Sequence, residues 1–254
     1  MPVRVEHSGD VAEVVLDWPD KLNSLDLDAL HELDAALASV PRARAVILRG
    51  EGRVFCAGRD VSRVDPATDD ARGYLDTLTA VLHRLSELPA PTFGVATGAC
   101  LGVGLGLLIA CDVVYVADTA KIGSPFAGLG AALDSGGHAL FVERLGTHRA
   151  LDLIYTGELM SGADAVASGL FSRVLPADDV LGFTRSIAAK VAAGPTTAFV
   201  TEKRLVARLR DERIGLWESM SDETDAQVEL SATSDYAEGF AAFREKRRPQ
   251  FTGR

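Results

Sequence analysis

The chain has 254 residues, 47% of them hydrophobic and 24% charged, with a formal net charge of −10. That length and balance suit a globular protein with a sizeable buried core. The acidic balance excludes the basic face that nucleic-acid binding needs, though not local capture of one anionic ligand.

The three cysteines, Cys56, Cys100 and Cys111, form no C-x-x-C pair. They support neither a disulfide framework nor a zinc site, and reduced buried thiols in a cytoplasmic protein are expected. The opening MPVRVEHSGDVAEV lacks the apolar core of a secretory signal. Residues 3–7 and 12–17 read as strands around a Ser8-Gly9-Asp10 turn. A loop, Trp18 to Ser24, leads to Asp26, placed to cap a helix whose Leu30, Leu33 and Leu37 keep helical spacing. "RAVILRG" (44–50) reads as a buried strand, 51–72 as an irregular polar segment, and 74–88 as a helix that stops before Pro89 and Pro91.

"TFGVAT" (92–97) and "DVVYVAD" (112–118) are predicted strands flanking the glycine-rich apolar segment 98–111. Phe93–Ala110 carries no charge, but it is short, rich in glycine and without a basic flank, so a buried core segment is expected rather than a membrane span. After Gly137 the pattern turns helical, with periodic segments at 178–193, 196–210, 213–231 and 236–246. The predicted fold class is α/β: a core over 1–195 and a helical region over 196–254. The last amphipathic segment either covers this core or packs on another subunit.

Chemistry can reside in three places. "GACLGVGLG" (98–106) is a glycine-rich turn, but a dinucleotide fingerprint needs glycine where Leu107 stands, and no Gly-Lys-Ser/Thr is present. Close helix packing through small residues explains it equally well. Paired with "VFCAGRD" (54–60), it could instead aim two backbone N–H groups at one oxygen. The third place, "SPFAGLGAALDSGG" (124–137), holds a single charge, Asp134. Asp134 reads either as the N-cap of a helix starting near Ser135 or as a working acid. His83 reads as a surface or packing residue, His138 either as that or as facing the same site as Asp134 four residues before it, and Asp112 as structural at a strand start.

Phe55-Cys56-Ala57-Gly58-Arg59-Asp60, Gly98, Leu101-Gly102-Val103-Gly104, Ala110-Cys111-Asp112, Leu129-Gly130 and Gly136-Gly137 fall in a specific order and spacing. With the Leu22-Asn23-Ser24 loop and the ending "EGFAAFREKRRPQFTGR", they resemble the crotonase (enoyl-CoA hydratase/isomerase) superfamily over essentially the whole chain. The resemblance implies a spiral of ββα units with a C-terminal helical trimerisation region, assembled as a homotrimer or hexamer. It implies an acyl-CoA ligand, with coenzyme A as part of the substrate and no resident cofactor or metal. It assigns an oxyanion hole to the backbone N–H groups of Arg59 and Val103. It assigns coenzyme A contacts to Leu22, Ala57, Gly58 and Asp60, and contacts to a neighbouring subunit's ligand to Phe243 and Lys246.

The departures from the family are as informative. Hydratases of the family carry two glutamates, and the matching positions here are Gly106 and Phe126. Neither residue can move a proton. Asp134 stands where some isomerases of the family carry a catalytic aspartate and the benzoyl-CoA dehalogenases a nucleophilic one. The nearest likeness is to the 1,2-epoxyphenylacetyl-CoA isomerases, which also lack both glutamates, although Ala132-Leu133 replaces their Ile-Pro. The implied activity is enoyl-CoA isomerisation, with Asp134 shuttling a proton inside an acyl pocket of Phe126, Leu129 and Leu133. The alternatives are a hydratase, an acyl-CoA hydrolase or dehalogenase with Asp134 as nucleophile, and a non-catalytic acyl-CoA binder.

Overall fold

A hairpin opens the chain: β1 (Val3–Ser8) and β2 (Val11–Leu16) turn at Gly9 and pair antiparallel. Every residue of β2 is buried, because β3 (Ala45–Gly50) pairs with its other edge in parallel. The connection is α1 (Leu27–Ala38), capped as predicted by Asp26, whose carboxylate accepts the Ala29 amide at 2.9 Å. The structure, a computed structural model, describes residues 2–62, 64–65, 67–213 and 215–254, apart from the side chains of Leu216, Trp217 and Ser219.

The next crossover is α2 (Ala71–Ser86), which starts earlier than the apolar spacing predicts because Asp70 caps it through the Gly73 amide. It leads to β4 (Thr92–Ala96), then β5 (Ala99–Leu101), α3 (Val103–Ile109), β6 (Val113–Ala117) and β7 (Lys121–Gly123). A 3-10 turn (Phe126–Leu129) precedes α4 (Gly137–Leu145), α5 (Thr147–Thr156), β8 (Met160–Ser161), α6 (Gly162–Ala167), β9 (Arg173–Leu175) and α7 (Val180–Ala192). The large sheet runs β1-β2-β3-β4-β6-β9 and the small one β5-β7-β8. The steps β4 to β5 and β6 to β7 both leave the large sheet for the small one, which makes the chain a spiral of ββ turns and helices. Two expectations are corrected. The stretch after Gly137 is not continuously helical, since β8 and β9 interrupt it, and α4 starts at Gly137 rather than near Ser135. Strands of two or three residues are too short to carry a readable period.

The core is the apolar face of α1 (Leu30, Leu33, Leu37), that of α2 (Leu78, Val81, Leu85) and the strands of the large sheet, with α7 packed across β2, β3, β4 and β6. The C-terminal helices are α8 (Thr196–Glu212), α9 (Leu216–Ser231) and α10 (Ser234–Glu245). Asp112 is structural: its carboxylate accepts the Thr92 amide at 2.8 Å and meets Lys203 of α8 at 3.0 Å. Arg44 joins the core to the C-terminal region through Gly194 O (2.6 Å), Thr196 Oγ1 (3.0 Å) and Phe251 O (3.2 Å). The "QFTG" ending folds back because buried Asp235 accepts the amides of Thr252 and Gly253, each at 2.7 Å. All three cysteines are free and buried. Burial pushes the Cys56 thiol up to about 12, so it stays neutral. No helix among the described residues is long and apolar enough to cross a membrane.

Candidate active site

The turn at 54–60 is held in place from several directions. Phe55 N donates to Thr97 O (2.7 Å), Cys56 N to Ala99 O (3.0 Å), and Leu101 N returns to Cys56 O (3.0 Å), which zips it to the 98–101 segment. Beneath it lies Asn23, 1% exposed and left-handed at φ +53°. Its amide nitrogen reaches Glu51 O, Val54 O and Phe55 O at 2.9, 3.0 and 3.2 Å, while its oxygen accepts the Trp18 amide at 2.8 Å. A short polar side chain that tolerates the left-handed region satisfies carbonyls that would otherwise be orphaned in the core.

The same loop aims the Arg59 amide. Leu25 donates to Gly58 O (2.9 Å) and accepts from the Asp60 amide (3.0 Å), a parallel bridge centred on Arg59. In such a bridge the central residue's own N–H points away from its partner. The Arg59 guanidinium is drawn off separately. It stacks 4.1 Å over the Tyr74 ring and bonds Asp69 at 2.5 and 3.1 Å. Tyr74 in turn donates its hydroxyl to Leu25 O at 3.0 Å, and burial raises its phenol well above the ordinary value.

The second turn brings Val103 alongside. Gly102 N donates to Gly123 O at 3.1 Å, and Val103 opens α3. The first amides of a helix have no acceptor within it. Neither Arg59 N nor Val103 N has an acceptor among the described residues. The two turns approach closely because α3 has glycine at the contact: a Cβ on Gly104 would lie 2.7 Å from Cys56 O.

The third element is the 124–137 loop. The ring of Phe126 lies against α3, its Cζ 3.2 Å from where a Cβ on Gly102 would stand. Ser135 sits against Gly106, where an added Cβ would collide with its own. So the two positions where the resemblance expects glutamates are filled, one by an aromatic ring and the other by the neighbour of Asp134. Asp134 is half-buried, and its Oδ1 takes the Ser135 hydroxyl at 2.7 Å. It does not cap α4, whose N-cap is Gly136 with no side-chain bond. Its charge acts on Tyr74, the ring beneath Arg59. The neighbouring carboxylates are all engaged: Asp26 caps α1, Asp60 pairs with Lys21 at 2.7 Å, and Asp69 pairs with Arg59. Among the described residues, Asp134 is left with only the hydroxyl of the next residue.

This set of amides and glycines, in this order on a two-sheet spiral, is matched by known proteins. The pattern of the enoyl-CoA hydratase/isomerase family matches residues 6–254. The chain belongs to the enoyl-CoA hydratase/isomerase family. A probable enoyl-CoA hydratase of Mycobacterium bovis is 34% identical over 255 residues, covering 99% of this chain and 98% of that one. The 2,3-dehydroadipyl-CoA hydratase of Escherichia coli is 30% identical over 232 residues, covering 91% of this chain and 89% of that one. An enoyl-CoA hydratase structure from Bacillus anthracis superposes with a TM-score of 0.93 at 28% identity, with 100% of each chain covered. The spiral expected from the resemblance is thus the fold of its neighbours.

The other residues that the resemblance marks divide into three groups. Leu22 and Ala57 are joined by a hydrogen bond from Ala57 N to Leu22 O at 3.0 Å, which ties the Leu22 loop to the turn that carries Ala57, Gly58 and Asp60. Phe243 is 83% exposed on α10, and Lys246 is its left-handed C-cap. The three residues expected to line an acyl pocket around Asp134 differ in their surroundings, Phe126 lying against α3. Leu129 is 67% exposed, and Leu133 points under α4 into a small cavity with Ile122, Phe141 and Met160. Sequence reasoning passed over Lys21, which covers the Trp18 ring at 4.5 Å and, with Ser62, holds Asp60 well below the usual carboxylate range. It also passed over the bracing by Tyr74, and it noted Asn23 only as part of a motif.

Proposed function

We propose that this family member is an enoyl-CoA isomerase in which Asp134 carries the proton. The amides of Arg59 and Val103 hold the thioester oxygen. The Asp134 carboxylate takes a proton from the carbon next to the thioester, and the C–H electron pair moves into a dienolate whose oxygen those amides stabilise. Asp134 then returns the proton two carbons further along. Each amide donor is worth about 3 kcal/mol in the transition state, and the acid–base group about 10²- to 10⁴-fold in rate. The observation that carries the reading is that, among the described residues, Asp134 alone of the carboxylates Asp26, Asp60, Asp69 and Asp134 is neither capping nor ion-paired. The 1,2-epoxyphenylacetyl-CoA type is the finer form of this proposal, supported by the shared loss of both glutamates. The substrate is held by Leu22, Ala57, Gly58 and Asp60. In a homotrimer or hexamer, Phe243 and Lys246 of one copy serve the ligand of the next, a role supported by the exposure of Phe243.

Hydration is the second reading, favoured by the names of the Mycobacterium bovis and Escherichia coli relatives. Incubation with straight-chain 3-enoyl, 2-enoyl, dienoyl and phenylacetyl-derived CoA esters, followed by mass and absorbance, separates the two. A shifted double bond at unchanged mass supports isomerisation. A gain of one water on 2-enoyl-CoA supports hydration. Oxygen-18 from water appearing in Asp134 would show a covalent ester and overturn both.

A further inference from the structure

The loop bearing Asp134 rests on α3 at a point where the helix has no side chain. A Cβ added at Gly106 would collide with the Cβ of Ser135 and lie 3.0 Å from its Oγ. Ser135 itself is left-handed, with φ +56°, a conformation uncommon for a residue with a Cβ. Its Oγ lies 2.7 Å from Asp134 Oδ1, while Oδ2 accepts no hydrogen bond among the described residues. We infer that Ser135 is a positioning residue: wedged against Gly106, it turns its hydroxyl onto Oδ1 of Asp134 and leaves Oδ2 as the oxygen that exchanges the proton. This rests on the reading of Asp134 as proton carrier. It also gives the loss of a side chain at 106 a purpose, because the space that a glutamate would take is the seat of Ser135.

A hydroxyl donating to an ionised carboxylate favours the charged, basic form. Removing it withdraws that support from the ionised form. The surroundings leave few other groups to titrate. α3 carries no ionisable side chain. Tyr74 is kept neutral by burial, and Cys56 is pushed up to about 12 for the same reason. Arg59 is paired with Asp69, and Asp26 caps α1. His138, exposed on α4, is the nearest histidine in the sequence.

The test is kcat/KM against pH for deuterium exchange into an enoyl-CoA, measured in a His138→Gln background. Ser135→Gly removes the hydroxyl and relieves the left-handed backbone, and Ser135→Ala removes it while keeping the Cβ against Gly106. Both are expected to move the acidic limb up by about one pH unit, with KM for the ester unchanged. A purely structural serine would leave that limb in place, and the glycine variant would then equal the parent. Unmoved limbs in both variants, with exchange abolished in Asp134→Asn, would overturn the role of Ser135 and leave that of Asp134 standing. Exchange retained in Asp134→Asn would overturn both.

Discussion

The paired turns at 54–60 and 98–106 and the loop at 124–137 meet at one site but are built in opposite ways. The turns are made of backbone, cross-linked by hydrogen bonds and seated on buried Asn23 and Tyr74. The loop is largely exposed, with Leu129 in solvent, and holds its acid by one bond to the next residue. Amides that bind a thioester oxygen are indifferent to side-chain identity, so their scaffold can be rigid and shared across a family. In the proposed mechanism the proton carrier is instead a side chain, on a loop that can change independently. Substitutions in the turns should therefore remove fold and activity together, and those at the exposed positions of the loop and at Asp134 should leave the fold intact.

The largest effect is expected at Gly104. Gly104→Val places a branched side chain 2.7 Å from Cys56 O, where backbone must move. Overpacking against backbone should cost more than about 3 kcal/mol of stability, read as insoluble protein or as a cooperative transition lost from thermal melts, and displacement of the Val103 amide should lower activity besides. Asn23→Ala comes next. It leaves the carbonyls of Glu51, Val54 and Phe55 unpaired, and should cost about 3 kcal/mol in urea unfolding with a parallel fall in activity. Tyr74→Phe, which removes one bond to Leu25 O, should cost about 1 kcal/mol. In the loop, Leu129→Ser should change stability by less than about 0.5 kcal/mol. A stability loss there as large as that of Asn23→Ala would erase the contrast between the two regions.

Acid sharpens the contrast from the scaffold side. Burial pushes the Glu13 carboxyl up, but hydrogen bonds from Arg185 (2.6 and 2.9 Å) and Arg49 (2.7 Å) outweigh it, so the net shift is downward. A carboxylate lowered in the folded state contributes stability above its ordinary value and loses it as pH falls through the lowered one. Urea-unfolding free energy should therefore decline below about pH 4, and Glu13→Gln should flatten that decline.

Much of this architecture was legible in the chain. β3, β4 and β6 are continuous apolar runs, and Asp26 caps α1 where its position demanded. The short strands β5, β7, β8 and β9 were not, because a few buried residues have no period. At the site, family spacing pointed to the amide pair and to Asp134, whose roles are the proposal made above. What stayed hidden depends on distant contacts: Lys21 on Asp60, Tyr74 under Arg59, and Ser135 against Gly106. Local pattern cannot report a pairing between residues so far apart in the chain. The direction of Leu133 was hidden for the same reason, since only tertiary packing decides that it faces the core.

The most direct measurement is double-bond migration in a 3-enoyl-CoA in deuterated water, by wild type and by Asp134→Asn, with ester affinity and thermal stability followed in parallel. Migration and exchange should fall about 10²- to 10⁴-fold in the variant while ester binding and melting temperature hold. Migration at the wild-type rate in Asp134→Asn would contradict the assignment of proton transfer to Asp134.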